Sequence, residues 1–231
     1  MARVINDIKE VLKFYDALGF ERLPIKLTVG GRWPAVKDGD RGSALRTLRE
    51  EMGDCGRCKL SGKRTKIVFG EGNPDARLMF IGEAPGREED LQGRPFVGDA
   101  GMVLTRLIRK MGFEREDVYI ANIVKCRPPM NRDPEMDEIE TCRRFVERQI
   151  EIIRPGIIVA LGRISASALT GNPGLKITAA RGKFFEFRGI PVMPTFHPAY
   201  LIRNPKDKWL TWDDALKVLG KLGRKGDSGF E

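Results

Sequence analysis

Apolar residues follow two rhythms along this chain. Short unbroken runs at residues 77–81, 118–124, 156–161, 184–187 and 192–196 read as strands buried on both faces. Between them, residues 102–111, 135–153 and 164–169 carry apolar side chains three and four apart, the spacing of a helix with one buried face. A further helix begins near Ser43 with Ala44, Leu45 and Leu48. Strands alternating with helices predict an α/β fold: a mostly parallel central sheet covered on both sides, three layers in the order α/β/α. Upstream, Val4, Ile5, Ile8, Val11, Leu12, Tyr15 and Leu18 also keep helical spacing, and the glycines Gly30, Gly31 and Gly39 follow. Residues 1–42 are therefore expected to form an accessory helix and linker, residues 43–222 the main domain, and residues 223–231 a flexible tail. The accessory helix either packs on the main body or docks a partner through Val11, Phe14 and Tyr15.

In a parallel sheet the carboxyl ends of the strands share one edge, where ligand crevices form. Glu83 follows the first long strand, Asn122 sits late in the second, Gly162 follows the third and His197 follows the last. The loop after the first strand, Gly82-Glu83-Ala84-Pro85-Gly86-Arg87-Glu88-Glu89-Asp90, concentrates two glycines, a proline and four acids. Gly93-Arg94-Pro95-Phe96-Val97-Gly98 comes next, just before a helix. By itself such a junction is an ordinary turn; four polar or glycine strand ends meeting at one edge make it a candidate site.

Composition narrows the partners. The 231 residues hold 41 basic and 32 acidic side chains, a net charge of +9 that suits a polyanion such as nucleic acid, or simply solubility. No apolar run approaches the ~20 residues of a membrane span, and charges interrupt the N-terminal segment as they do not in a secretory signal. A cytoplasmic protein without membrane contact is expected, and the charged fraction of 32% suits heat adaptation.

Four cysteines add chemistry. Cys55 and Cys58 form a C-x2-C pair; Cys126 follows after 67 residues and Cys142 after 15 more. Disulfides are disfavoured inside cells. Zinc prefers two close pairs or Cys/His mixtures, and the chain has one histidine. An iron–sulfur cluster on four thiolates accepts uneven spacing and is favoured over zinc and over unligated buried cysteines, both of which stay open. Cys142 shares the apolar side of its helix with Met136, Ile139, Val146, Ile150 and Ile153.

The single histidine stands in Pro194-Thr195-Phe196-His197-Pro198-Ala199-Tyr200-Leu201-Ile202-Arg203. Leu201 and Ile202, exposed on a loop beside the cation Arg203, would be wedge residues that fill the gap left when a base is unstacked from DNA.

Together, Gly82-Glu83-Ala84-Pro85-Gly86 with Glu89-Asp90, Gly93–Gly98, Ala121-Asn122-Ile123-Val124-Lys125-Cys126-Arg127-Pro128-Pro129, the cysteine spacing and His197-Pro198-Ala199 resemble the family 4 uracil-DNA glycosylases, iron–sulfur enzymes of thermophilic archaea and many bacteria. The likeness runs from about Ser43 to Trp212. It implies a 4Fe–4S cluster on Cys55, Cys58, Cys126 and Cys142. It implies a uracil pocket of Glu83, Ala84, Glu89, Phe96, Asn122 and His197. In that reading Phe96 stacks on the base and the Asn122 amide pairs with its N3–H and O4, against cytosine. Glu89 lines the edge where a thymine methyl would project. His197 donates to O2 as the leaving uracil gains charge, and Glu83 or its loop positions water. Leu201 and Arg203 face the DNA.

The implied activity is monofunctional: the enzyme flips uracil from single- or double-stranded DNA and hydrolyses its N-glycosidic bond to leave an abasic site, the start of base-excision repair. A prokaryotic, nucleoid-associated monomer follows, with a sliding clamp or other repair partner for residues 1–42. The Gly-Gln-Asp-Pro-Tyr water-activating motif of the commonest uracil glycosylases is missing, and Glu83 and Ala84 stand where it would place Gln and Asp. The rival readings are an iron–sulfur electron carrier, a nucleotide-phosphate enzyme, which lacks the Gly-x-x-x-x-Gly-Lys-Ser/Thr signature, and an inactive DNA-binding relic.

Overall fold

A computed structural model describes residues 40–224. The accessory helix and clamp-docking segment expected upstream lie outside those residues, as does the tail beyond residue 224. In chain order the elements are α1 (Arg41–Met52), β1 (Glu71–Gly72), β2 (Leu78–Gly82), α2 (Arg87–Gln92), α3 (Asp99–Lys110), β3 (Tyr119–Asn122), α4 (Met136–Ile153), β4 (Ile157–Leu161), α5 (Arg163–Thr170), α6 (Ile177–Ala180), β5 (Phe185–Phe187), β6 (Ile190–Thr195), α7 (Pro198–Arg203) and α8 (Lys208–Lys221).

The strands build one six-stranded sheet in the order β1-β3-β2-β4-β6-β5. The four central strands are parallel, and β1 and β5 close the edges antiparallel. Alternation along each strand divides the core. Met79, Ile81, Ala121, Ile158 and Ala160 face α1, α4 and α5, meeting Leu48, Val146, Ile150 and Ala166. Leu78, Phe80, Ile120, Val159 and Leu161 face the opposite way, onto Leu104 and Ile108 of α3 and Trp212, Val218 and Leu219 of α8. Every residue of β2, β3 and β4 is buried, as two-sided coverage requires. Each large side chain so covered stabilises the fold by roughly 1.5–3 kcal/mol relative to exposure. The expected three-layer α/β/α architecture is what forms.

The register aligns the strand ends. Gly82 pairs with Asn122 across β2 and β3, and Leu161 with Thr195 across β4 and β6. Two expectations change. Met136 is 58% exposed, because the α4 stripe starts one turn later at Ile139 and Cys142. The segment after His197 is helix α7 rather than a loop, and Leu201 on its inner side is only 3% exposed. Pro198 at the first helical position starts α7 there, which turns Leu201 inward and Ile202 outward.

Candidate active site

The carboxyl edge of β2, β3 and β6 borders a cavity of about 420 Å³, lined by Glu83, Ala84, Glu89, Phe96, Asn122, His197 and Arg203 among others. All six residues expected in the base pocket therefore share one cavity, with Arg203 at its wall.

Close packing sets their positions. A methyl group on Gly82 would lie 2.4 Å from Asn122 Oδ1 and 2.5 Å from Phe96 Cζ, so the glycine lets amide and ring meet over the end of β2. Phe96 itself is buried with φ +52°, a backbone state that costs a non-glycine residue roughly 1 kcal/mol or more. Arg115 holds it there, donating to the Phe96 carbonyl at 3.0 Å, to the Pro95 carbonyl at 2.8 Å and to Glu71 at 2.7 Å. The Phe96 ring stands 5.8 Å from the His197 ring.

Asn122 is 1% exposed, and its side-chain oxygen accepts no hydrogen bond. A buried amide oxygen left unpaired costs roughly 1–3 kcal/mol; Asn122 is a lining residue of the cavity, where a ligand N–H would satisfy it.

His197 caps the start of α7. The Ala199 N–H donates to its Nδ1 at 3.2 Å, so Nδ1 carries a lone pair and Nε2 carries the proton of the neutral ring. Burial, then the charge of Arg203, lowers its pKa to about 4, with Glu89 opposing. The site thus holds a neutral N–H donor at physiological pH. On the other side, a methyl on Gly162, whose φ is +91°, would come within 3.0 Å of His197 Cβ, so the loop after β4 seats the imidazole.

Glu83 lies half-buried at the end of β2. Burial, then the charge of Asp133, pushes its carboxyl up to about 7, while Arg163 pulls the other way. A carboxyl raised this far lies in the range suited to proton transfer. Glu89 is differently employed. Its carboxylate accepts from the N–H groups of Gly86 at 3.1 Å, Val97 at 2.9 Å and Gly98 at 2.9 Å, clamping the two loops that carry Ala84 and Phe96. At the cavity wall it contributes the shape of those loops.

Sequence reading missed further wall residues. Pro128, Asn131 and Arg132 reach the cavity from the loop after β3, and Tyr200 from α7. Tyr200 donates to Asp207 at 2.7 Å, and Arg132 pairs with Glu138 at 2.7 Å. The only signal was their position directly after the Cys126 and His197 motifs. Leu201 does not reach this cavity; it lines a separate apolar one with Phe196, Leu104 and Trp212.

The cysteines, all unpaired, also converge: Cys55, Cys58, Cys126 and Cys142 border one small cavity, beside Phe145 and Lys125. Arg64 donates to Cys126 Sγ at 3.6 Å and the Lys125 backbone N–H to Cys142 Sγ at 3.3 Å. Burial raises both thiols, Cys142 to about 11, with Arg64 and Lys125 respectively pulling down. Among the described residues no three His, Cys, Asp or Glu side chains gather as the ligands of a single metal ion would. Lys125 is fully buried and connects the two centres: its Nζ donates to the Asn122 carbonyl at 2.8 Å and to Gln149 at 2.7 Å.

The chain is similar to known proteins over most of its described length. A profile of the uracil DNA glycosylase superfamily matches residues 69–217. The chain is 50% identical to the type-4 uracil-DNA glycosylase of Thermotoga maritima, over 80% of this chain and 98% of that protein. It is 48% identical to that of Saccharolobus solfataricus, over 78% and 88%. Against the Archaeoglobus fulgidus protein of the same name the figure is 40%, over 81% and 98%.

Proposed function

The chain belongs to the uracil DNA glycosylase superfamily, and we propose on that premise that it excises uracil from DNA by hydrolysis of the N-glycosidic bond, leaving an abasic site. The observation that carries this reading is the pairing of a buried, unpaired Asn122 oxygen with a neutral His197 N–H donor across one cavity. A uracil ring presents N3–H to an acceptor and O2 to a donor; cytosine has no N3 proton to give. Phe96 supplies the aromatic face on which the base stacks.

As the bond to the sugar breaks, the sugar becomes cationic and negative charge builds on uracil O2. An N–H fixed at that oxygen binds the transition state more strongly than the ground state, which is what accelerates the step. His197 is that donor, and it needs no proton change to act. Glu83, whose carboxyl is pushed up to about 7, is the group that accepts from the attacking water beside the cationic sugar. Arg203 supplies positive charge for a DNA phosphate at the wall of the cavity.

For the cysteines we infer a 4Fe–4S cluster held by Cys55, Cys58, Cys126 and Cys142. The donor set fits: four free thiols border one cavity, and two of them already receive N–H donors, as the sulfur ligands of a cluster do. Bound there, the cluster supplies a cross-link between the segment after α1, the loop after β3 and α4. Its place is structural, since catalysis draws on residues of the other cavity.

The test is release of free uracil from an oligonucleotide carrying one uracil, with thymine and cytosine controls. The wild type should release uracil alone. Asn122→Ala should lower excision by about 10²-fold, the loss of roughly 3 kcal/mol of base contacts. Release of cytosine at a comparable rate, or an unaffected variant, would refute this assignment of the pocket.

A further inference from the structure

The loop after β3 ends in an anomaly. Met130 is 95% exposed, more than any other large apolar side chain among the described residues. It also sits at φ +55°, ψ +21°, left-handed backbone that strains a methionine. Folding gains nothing from this placement, since an exposed thioether buries no surface and a glycine or asparagine would fit the turn without strain.

The loop is nevertheless held firmly. Arg127 donates to the Asn131 side chain at 2.8 Å, Arg132 grips the buried Glu138 at 2.7 and 2.9 Å, and Arg163 pairs with Asp133 at 2.8 Å. Its neighbours Pro128, Asn131 and Arg132 line the base cavity, so the methionine stands out beside the mouth through which a nucleotide must enter. Ile202, 43% exposed on α7 next to the wall residue Arg203, is a second apolar tip by the same cavity.

We propose that Met130 is a DNA-facing wedge that presses on the base stack beside the extruded nucleotide when the substrate is duplex. This rests on the uracil-excision reading. Extrusion leaves a gap and unstacked faces, and a long, flexible apolar side chain covers them. Single-stranded DNA, with no stack to hold open, gains little from it.

The experiment compares wild type with Met130→Gly and Met130→Leu on one uracil oligonucleotide, single-stranded and duplex, with 2-aminopurine beside the uracil in a second duplex. Met130→Gly suits the left-handed backbone and should fold with an unchanged or raised Tm. Its kcat/KM on duplex should fall about tenfold or more, the scale of one large apolar side chain no longer buried against a base. On the single strand it should stay within about twofold, and the 2-aminopurine signal on binding should shrink. Met130→Leu should restore both duplex readouts. Equal duplex rates for wild type and Met130→Gly, or a loss shared equally by the single strand, would overturn the wedge while leaving excision intact. A wild type that releases no uracil from either substrate would overturn both readings.

Discussion

Replacing Glu83 by glutamine separates what this carboxyl costs the fold from what it does for the reaction. In the folded protein its pKa stands at about 7 against an ordinary 4.5, first because it is buried and second because Asp133 repels its charge. The charged form is therefore the disfavoured one. Below about pH 4 the group is neutral in both states and contributes nothing; as pH rises through 4.5 the unfolded chain ionises first, and stability falls until pH passes 7. The span corresponds to at most about 3 kcal/mol. Glutamine has nearly the same shape and no charge, so Glu83→Gln should match the wild type in denaturant unfolding at about pH 4 and exceed it by up to that amount at about pH 8. Excision should behave oppositely. Wild-type kcat/KM should rise with pH through about 7 as Glu83 ionises, and the variant should lose both most of the rate and the rise. Refutation would come from a variant no more stable than wild type at about pH 8, or one whose rate still climbs through pH 7.

Three further outcomes follow from the packing, the cysteines and the imidazole. Gly82→Ala places a methyl 2.4 Å from the Asn122 oxygen and 2.5 Å from Phe96, so uracil excision should fall at least about tenfold even in folded protein; wild-type kinetics would show that the β2 end tolerates a side chain. Cys142→Ser should lower iron per protein and the visible cluster absorption together with Tm; unchanged iron content would remove Cys142 from the ligand set. Because His197 is neutral above its pKa of about 4, the rise near pH 7 should belong to Glu83 alone, and the Glu83→Gln profile should be flat near the ordinary histidine value; an inflection that persists there in Glu83→Gln would mean a charged imidazole takes part.

Most of the fold was legible because β2, β3 and β4 are buried on both faces and appear as unbroken apolar runs. The site was legible for a related reason: parallel strands put residues that follow them at one edge, so Glu83, Asn122 and His197 could be brought together without coordinates. What escaped has physical causes. Helix α8 buries Trp212, Ala215, Val218 and Leu219, but exposed Trp209 and Leu216 blur its stripe. In α2 the buried residues are acids: Glu89 and Asp90 turn inward to accept backbone N–H groups, Asp90 from Thr65 at 2.9 Å, which inverts the usual hydropathy signal. Leu201 looked like an exposed wedge because the start of α7 at Pro198, which decides its direction, is a matter of a single residue. The Lys125 link between the cysteines and Asn122 was hidden because one residue meets both through different groups, its backbone N–H at Cys142 and its Nζ at the Asn122 carbonyl.

The claim on which the rest depends is that a neutral His197 carries the charge of the departing base. Single-turnover excision of uracil by wild type and His197→Ala, with binding of the free base measured alongside, tests it most directly. A rate lowered by ~10²–10³, with uracil affinity changed far less, is the signature of a donor that acts in the transition state. A variant that excises at the wild-type rate, or loses rate only in step with affinity, would contradict it.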